Sequence, residues 1–443
     1  MQNINKAVDK YEKLILDAER FIWKHPETGY REKVTSKYME DIFEDLGYSL
    51  IKAGDIPGFY TVVDTGKAGP EVLIMGELDS LICPNHPECD PETGYVHACG
   101  HHAQCAALIG IAAALKEPGV LEDLCGRIRL CAVPAEELIE IGYRTELKNK
   151  GIIKYFGGKG EFLYRGYFDG VDIAFMVHTS VNFAVRGGSV GCIAKKISYK
   201  GKSSHAGGSP WNGKNALYAA TQGLSASNAV RETFKESDII RFHPIITHGG
   251  EAVNAIPELV TIESYVRGEN FEAIKDANKK INQALIGSAL SLNTNIEILD
   301  APGYAPLKND KNMMELVRDA AGLIIPEEEF TLGHNIGSGS TDMGELCGLM
   351  PVVHPYAGGA EGLSHGMNYK ITDPVRACVK SAKMQLMMLK LLLEDGATRA
   401  KKIICEFEPK FSSKEEYFAY VDEFNSSGDR IIYKEDGTAE VIL

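Results

Sequence analysis

The strongest constraint on the fold of this chain is an alternation of apolar strand-like segments with helical segments, interrupted once. Segments 59–63, 71–75, 127–133 and 171–177 have the composition of buried strands, and helical segments alternate with them. Such alternation is typical of a mostly parallel sheet with helices on both faces. Residues 187–303 instead follow the order strand, helix, strand, strand, helix, strand, which indicates a ferredoxin-like α+β domain.

These patterns predict an α/β domain interrupted by a smaller inserted domain. The α/β domain is expected in two parts, residues 1–186 and 304–396, with the inserted domain at 187–303 between them. Residues 397–443 form a charged extension of mixed pattern that is assigned to neither domain.

The net negative charge of the chain argues against some classes of binding partner. The chain has 47 Lys and Arg against 61 Asp and Glu, a net charge of −14. An acidic surface repels phosphate backbones and anionic lipids, so nucleic acid and membranes are not expected partners. The start lacks the layout of a signal peptide, and ten cysteines in 443 residues are too few for a disulfide scaffold, so a cytoplasmic protein is expected.

Polar clusters follow the predicted strands at their carboxyl ends. They lie at 77–79, 134–137, 178–180 and 354–365, and a further cluster at 97–102 opens an alanine-rich helix. In open α/β sheets the strand carboxyl ends form the ligand crevice, so these clusters are expected to converge.

The residue types in these clusters are those of a divalent metal site. Cys99 and His101 flank a glycine, and thiolate, imidazole and carboxylate are typical ligands. In the pair Glu136-Glu137, one carboxylate can bind metal while the other meets a metal-bound water. Each feature also has an ordinary structural interpretation: a buried cysteine beside a capping histidine, a solvated acidic turn, and for His178 a core histidine with a hydrogen-bond partner.

Together the clusters resemble the metal-dependent amidohydrolases and metallopeptidases related to aminoacylase, carboxypeptidase G and hippurate hydrolase. The resemblance rests on His97-Ala98-Cys99-Gly100-His101, Pro134-Ala135-Glu136-Glu137 and His178-Thr179, with weaker matches at 25–32, 201–210 and 254–257. The cysteine points to the branch that contains the auxin-conjugate hydrolases and aminobenzoyl-glutamate hydrolase.

The resemblance implies two divalent ions (manganese, zinc, cobalt or nickel) and a general base. Glu136 would be the base, and Asp79 would orient an imidazole. His354 is the alternative to His365 as the late ligand, and His102 is a possible additional ligand, since His102 and Gln104 stand where the branch commonly has aspartate and histidine. The implied ligands are Cys99, His101, Glu137, His178 and His365.

The resemblance also implies that the two-part α/β domain is catalytic and that the inserted domain 187–303 serves as a lid and in dimerisation. His205 would stabilise the oxyanion from across a contact between two subunits, in a homodimer or a higher homo-oligomer. Asn254 and Arg267 would hold the substrate carboxylate, although a surface charge at a strand end is an equally ordinary interpretation of Arg267.

The expected function is hydrolysis of the amide bond of an N-acyl amino acid, an acylated glutamate or a dipeptide-like small molecule through a metal-activated water. The alternatives are a dipeptidase or carboxypeptidase, a binding protein that kept the fold and lost catalysis, and a metal-storage or redox role built on Cys99.

Overall fold

The computed structural model describes residues 2–443, with side chains from Ile4 onward. Within this range, no helix combines the length and the apolarity that crossing a bilayer requires. The α-helices are Gln2–Lys10, Glu12–Trp23, Lys33–Asp45, His101–Leu115, Ile141–Asn149, Gly158–Tyr164, Ala216–Val230, Phe271–Ser291, Lys311–Ala321, Gly344–Cys347, Ser381–Leu393, Thr398–Glu406 and Lys414–Asp422.

The central sheet is mostly parallel, as the sequence predicts. Its last four strands run parallel, and the first two run antiparallel at one edge. The strand order is Ile51–Lys52, Phe59–Asp64, Arg127–Val133, Glu71–Glu77, Ile173–Phe175, Val352–Val353.

Helices cover both faces of this sheet. Val72 and Ile74 belong to one apolar core and Leu73 and Met75 to the other, because successive strand residues point to opposite faces. The helix His101–Leu115 lies on the first face, and every one of its residues is buried. This confirms the predicted α/β layers, and it fixes the start of that helix beside the strand ends.

A second sheet, here called the inserted sheet, has the expected ferredoxin-like order. Its long strands are Gly191–Lys200, Leu259–Gly268 and Asn295–Tyr304, all antiparallel, with Arg241–Phe242 and Ile245–His248 along one edge. Buried and half-buried residues alternate along Leu259–Gly268, and the helices Ala216–Val230 and Phe271–Ser291 pack on the buried side.

The C-terminal segment 398–443 links the two sheets. Its hydrogen bonds extend the Asn295–Tyr304 edge: Asp300 N donates to Ser426 O at 2.7 Å and Ser426 N donates to Asp300 O at 2.9 Å. The hydroxyl of Tyr417 donates to the buried carboxylate of Glu345. The extension therefore closes one edge of the inserted sheet and leaves the opposite edge, with its exposed Ile245, open.

Several element boundaries differ from the pattern-based ones. The helical apolar spacing of residues 5–24 predicts a single helix, but the structure has a break at Tyr11, whose hydroxyl donates to Glu117 at 2.6 Å. The apolar run 171–177 contributes only Ile173–Phe175 to the central sheet, and His178–Thr179 pairs in a separate small sheet. An apolar run shows that a segment is buried, whereas the pairing partner depends on neighbours that are distant in sequence.

Candidate active site

His101 lies at the centre of the polar groups that follow the parallel strands. Its Nδ1 is 3.1 Å from Asp79 Oδ1, and its Nε2 is 3.2 Å from Glu77 Oε2 and 3.8 Å from Glu136 Oε2. These four residues are buried. Of the four, Glu136 lines a cavity of about 390 Å³, together with Glu137 and with residues of the inserted sheet such as Arg267.

The turn at Gly100 requires glycine. Its φ is +99°, and a Cβ there would lie 2.3 Å from the hydroxyl oxygen of Tyr369 and 3.0 Å from Cβ of Thr179. This turn begins the helix of His101 and brings Cys99 Sγ to 3.3 Å from His178 Nε2.

The donor atoms form three groups, of which two share Cys99 and the third contains Glu77, His101 and Glu136. Of the two that share Cys99, one is Cys99, His101 and His178, and the other is Cys99, Glu137 and His365; within each group the donor atoms lie within 4.8 Å of one another. His365 Nε2 is 3.2 Å from Glu137 Oε1. A thiolate can bridge two ions, so this arrangement suits a pair of divalent cations with N, O and S ligands.

The electrostatics of these groups also suit cations. Burial and Glu137 raise the pKa of Cys99, but His101 and His178 lower it further, to about 5, so the thiolate form is favoured. His101 Nε2 and Glu137 Oε1 are buried, and their 3.2 Å contacts with Glu77 and His365 lack hydrogen-bond geometry. Because buried polar atoms need partners, bound metal would satisfy both atoms.

Glu136 is held by a backbone turn that is unusual for a residue other than glycine. Ala135 has a φ of +57°; its N donates to Glu32 Oε1 at 2.7 Å, and its carbonyl accepts from Arg144 at 3.2 Å. Burial, and then Glu77 and Glu137, raise the pKa of Glu136 well above its usual value. A carboxyl with a raised pKa, facing a cavity, is the group that general acid–base chemistry needs.

Asp79 contacts one residue of each of the two donor groups that share Cys99. Its Oδ2 accepts from the backbone N of Glu137 at 2.7 Å, while its Oδ1 contacts His101 Nδ1. It therefore orients the imidazole, so that Nε2 faces the other donors, and fixes the backbone of a second donor residue.

A buried lysine lies beneath this site, and sequence reasoning missed it. Lys159, Glu77 and Asp342 have no exposed side-chain surface. The ammonium lies 2.5 Å from Glu77 Oε1 and also donates to Asp342. Burial raises the pKa of Glu77, but Lys159 and His101 lower it to about 2. No local sequence pattern marks Lys159. Its neighbour Gly158 passes so close to Pro134 that a Cβ on Gly158 would lie 1.6 Å from the Pro134 carbonyl oxygen.

The chain also matches a known protein family. The model of peptidase family M20/M25/M40 matches residues 73–390, which is more than half of the chain. The chain belongs to this family. It is therefore an enzyme that hydrolyses amide bonds, and its family binds metal.

Curated M20 relatives are similar over most of their length. The Xaa-Arg dipeptidase of Mus musculus is 28% identical over 365 residues, which cover 79% of this chain and 78% of the relative. The N-acetyl-L-cysteine deacetylase of Bacillus subtilis is 27% identical, with coverage of 70% and 72%. The hippurate hydrolase of Campylobacter jejuni is 23% identical, with coverage of 83% and 95%.

Solved M20 structures share the fold. A dinuclear metal-binding peptidase of the M20 family from Bacillus subtilis superposes with a TM-score of 0.62 at 19% identity, covering 87% of this chain and 99% of that one. An aminobenzoyl-glutamate utilization protein from Klebsiella pneumoniae gives 0.64 at 17% identity, with coverage of 87% and 98%. At these identities the likeness concerns the fold alone.

The structure places two of the predicted histidines outside all three donor groups of this M20 site. His102 points away, with Nε2 3.2 Å from Glu19 Oε1 and its ring 4.8 Å from that of Trp23. His354 lines the cavity, but its Nδ1 hydrogen-bonds the carbonyl of Met176 at 2.9 Å. Burial and His178 lower its pKa to about 4.

The predicted residues of the inserted domain divide into two sets. Arg267 lines the cavity, whereas His205 and Asn254 are exposed and do not line it. His205 and Asn254 lie close together, since the neighbour of His205, Ala206, donates its backbone N–H to the carbonyl of Asn254 at 2.9 Å. His205 Nδ1 accepts from Gly208 N at 2.8 Å.

Proposed function

We propose that this M20 enzyme uses two divalent ions to hydrolyse the amide bond of an N-acyl amino acid, an acylated glutamate or a dipeptide-like small molecule. The observation that carries the proposal is the pair of donor groups sharing Cys99, with Glu136 beside them in the same cavity. The relatives named for N-acetyl-L-cysteine deacetylation and hippurate hydrolysis support this class of substrate. The proposed ligands are Cys99, His101, Glu137, His178 and His365.

In this proposal the residues of the chain divide the reaction between them. Bound divalent ions would lower the pKa of a water molecule and polarise the amide carbonyl. Glu136 removes the proton of the attacking water and delivers it to the leaving nitrogen, and its buried, raised-pKa carboxyl suits both transfers. Asp79 keeps His101 in its ligand orientation.

The proposal includes the inserted region 187–303 as a lid and dimerisation domain between the catalytic segments 1–186 and 304–396. His205 and Asn254 are exposed and outside the cavity of their own chain, so a second subunit is needed for them to reach a substrate. The open sheet edge at Ile245–His248 supports pairing of two copies. Arg267 would hold the substrate carboxylate as a forked pair of hydrogen bonds.

Manganese, zinc, cobalt and nickel are the proposed ions, and the cytoplasm is the proposed compartment. All ten cysteines are free thiols. A thiolate ligand and free surface cysteines are both compatible with a reducing compartment.

The test is metal-loaded enzyme against a panel of N-acyl amino acids. Glu136→Gln is expected to keep its ions and to lose about 10²–10⁴-fold in kcat, because it removes the general acid–base. Glu361→Gln is the matched control, since Glu361 is exposed and outside the cavity. Activity of Glu136→Gln near that of the wild type, or two bound ions with no amide hydrolysed, would contradict the proposal.

A further inference from the structure

The walls of the cavity carry several buried donors that have no partner. Each of these atoms is shielded from solvent, makes no hydrogen bond within the described residues and belongs to a residue that lines the cavity. Each is a hydroxyl or an N–H, so together they call for a ligand rich in acceptor oxygens. The atoms are Ser189 Oγ, Arg267 Nε, Tyr304 Oη, Ser340 Oγ and Tyr369 Oη.

The first wall is set by strand register. Cys192 pairs directly with Arg267 on one side and with Tyr304 on the other, so the three side chains share one face of the inserted sheet. Neighbouring strands are about 4.8 Å apart. Arg267 and Tyr304 therefore flank Cys192 on opposite sides, with backbones about 10 Å apart, and both side chains line the cavity.

The second wall holds another cation, Arg186, which lines the cavity and is exposed to solvent, unlike the buried donors. Its guanidinium lies 5.7 Å from the ring centre of Tyr356, which in turn packs 6.0 Å from the ring of His178. A Cβ on Gly337 would lie 3.7 Å from Arg186 Nη1, and Gly337 pairs with Ser189. Arg186 and the donor Ser189 therefore lie together, on the His178 side of the cavity.

Neither arginine is neutralised by the protein. In the part of the chain that the structure describes, no carboxylate lies within 4.0 Å of Arg186 or Arg267. The carboxylates that line the cavity are Glu136 and Glu137, which belong to the proposed base and ligand set. In a chain of net charge −14, the cavity thus keeps two separate cations for its ligand.

Resting on the proposed function, we infer that the substrate is a dicarboxylate: an N-acyl amino acid that carries a second carboxylate besides the α-carboxylate. Arg267 binds one carboxylate and Arg186, with Ser189, binds the other. The second carboxylate can belong to the side chain of the amino acid or to the acyl group, and both have the same chemistry at Arg186. A substrate with a cationic side chain finds no free carboxylate in this cavity.

The experiment measures kcat/KM of the metal-loaded enzyme on N-acetyl-L-glutamate, N-succinyl-L-alanine, N-acetyl-L-alanine and L-alanyl-L-arginine. At least one of the two dicarboxylates is expected to exceed both other substrates by about 10-fold or more, since a hydrogen-bonded charge contributes that much. Which dicarboxylate is preferred locates the second carboxylate. Arg186→Gln is expected to reduce the preference for the dicarboxylate over N-acetyl-L-alanine by about 10–100-fold.

Arg318→Gln is the matched control, because Arg318 lies on an exposed helix surface and its ion pairs there contribute little. It is expected to leave the preference as in the wild type. Equal or faster hydrolysis of N-acetyl-L-alanine or L-alanyl-L-arginine would overturn the inference while leaving amide hydrolysis intact. So would a preference that Arg186→Gln does not change.

A second readout does not depend on turnover. Binding of glutarate and butyrate to the metal-loaded protein is measured by calorimetry, and glutarate is expected to bind at least about 10-fold more tightly, with the difference lost in Arg186→Gln. If no amide is hydrolysed but this difference is found, the proposed function fails and the dicarboxylate site stands. Equal affinities for the two acids would overturn the inference.

Discussion

At the scale of single residues, the site depends on charges that are removed from water and matched to one another. Lys159 is the sole lysine or arginine in ion-pair contact with Glu77 and Asp342, among the described residues. Glu77 also contacts His101. One buried ammonium thus compensates two carboxylates directly behind the proposed ligands, and losing it would leave charges that the interior cannot solvate.

Lys159→Met is expected to lower the free energy of unfolding by about 3–5 kcal/mol, as measured by urea denaturation, because it leaves two buried carboxylates without a cation. Adding Glu77→Gln and Asp342→Asn should restore part of the loss. Lys200→Met is the control: its ion pairs with Glu297 and Asp429 are half-exposed and should contribute less than about 1 kcal/mol. Equal effects of the two lysine variants would refute the account.

The shared thiolate makes a second prediction at this scale. Cys99→Ala is expected to weaken the binding of both ions, since Cys99 belongs to two donor groups. His178→Ala should weaken the binding of one ion, since His178 belongs to a single group. Metal analysis of the dialysed proteins tests this difference. The control is Cys131→Ala. Cys131 is a buried thiol in the apolar core on the face of the central sheet opposite the helix His101–Leu115, so this variant should keep the wild-type metal content. Full metal content in both site variants would remove them from the ligand set.

At the scale of elements, one of the contacts between the C-terminal extension and the catalytic fold is made by a buried acid. The helix Lys414–Asp422 contacts the helix Gly344–Cys347 through Tyr417, which donates to Glu345. Glu345 also accepts from Ala305 N at 3.0 Å. Burial raises the pKa of Glu345 to about 7, so this contact between two helices depends on pH.

The sign of that dependence follows from the raised pKa. Between pH 4.5 and 7 the unfolded chain ionises Glu345 while the folded chain keeps it protonated, so stability is lost as the pH rises through this window. Wild type is expected to lose up to about 3 kcal/mol more than Glu345→Gln between pH 4.5 and 7.5. Urea denaturation across this range measures it, and parallel stability curves for the two proteins would contradict the assignment.

At the scale of the whole molecule, the two edges of the inserted sheet differ. Residues 426–430 hydrogen-bond to the edge formed by Asn295–Tyr304. Ile245–His248 has exposed side chains, and no strand among the described residues pairs with its outer edge. An open edge pairs readily with another copy of itself. Together with the exposed position of His205, this supports a two-fold dimer in which each cavity is completed by the other subunit.

Mixing inactive Glu136→Gln subunits with inactive His205→Ala subunits tests this arrangement. If His205 acts in the partner's site, each hybrid dimer has one complete site, and an equal mixture should regain about a quarter of wild-type activity by random pairing. Native mass spectrometry confirms that hybrids have formed. Hybrids without activity would place His205 in its own chain's site or outside the reaction.

The sequence by itself determined the local and periodic features. The strand–helix alternation and the interruption at 187–303 predicted the two sheets, because side-chain periodicity reports burial directly. Cys99-Gly100-His101 could be recognised because its chemistry depends on adjacent residues and on one glycine with a positive φ. The clusters at the strand ends converge as predicted, since parallel strands bring their carboxyl ends to one edge.

Only the tertiary structure decided which distant groups meet. Lys159 is 82 residues from Glu77 and 183 from Asp342, and nothing near it in the sequence distinguishes it from a loop lysine. His102, adjacent to a proposed ligand, turns instead to Glu19, because successive helix residues point in different directions and its side is covered by the first helices. The position of the C-terminal extension likewise depends on its hydrogen bonds to the strand Asn295–Tyr304, which is distant in sequence. Long-range pairings of this kind depend on how the layers pack, and no local pattern encodes that packing.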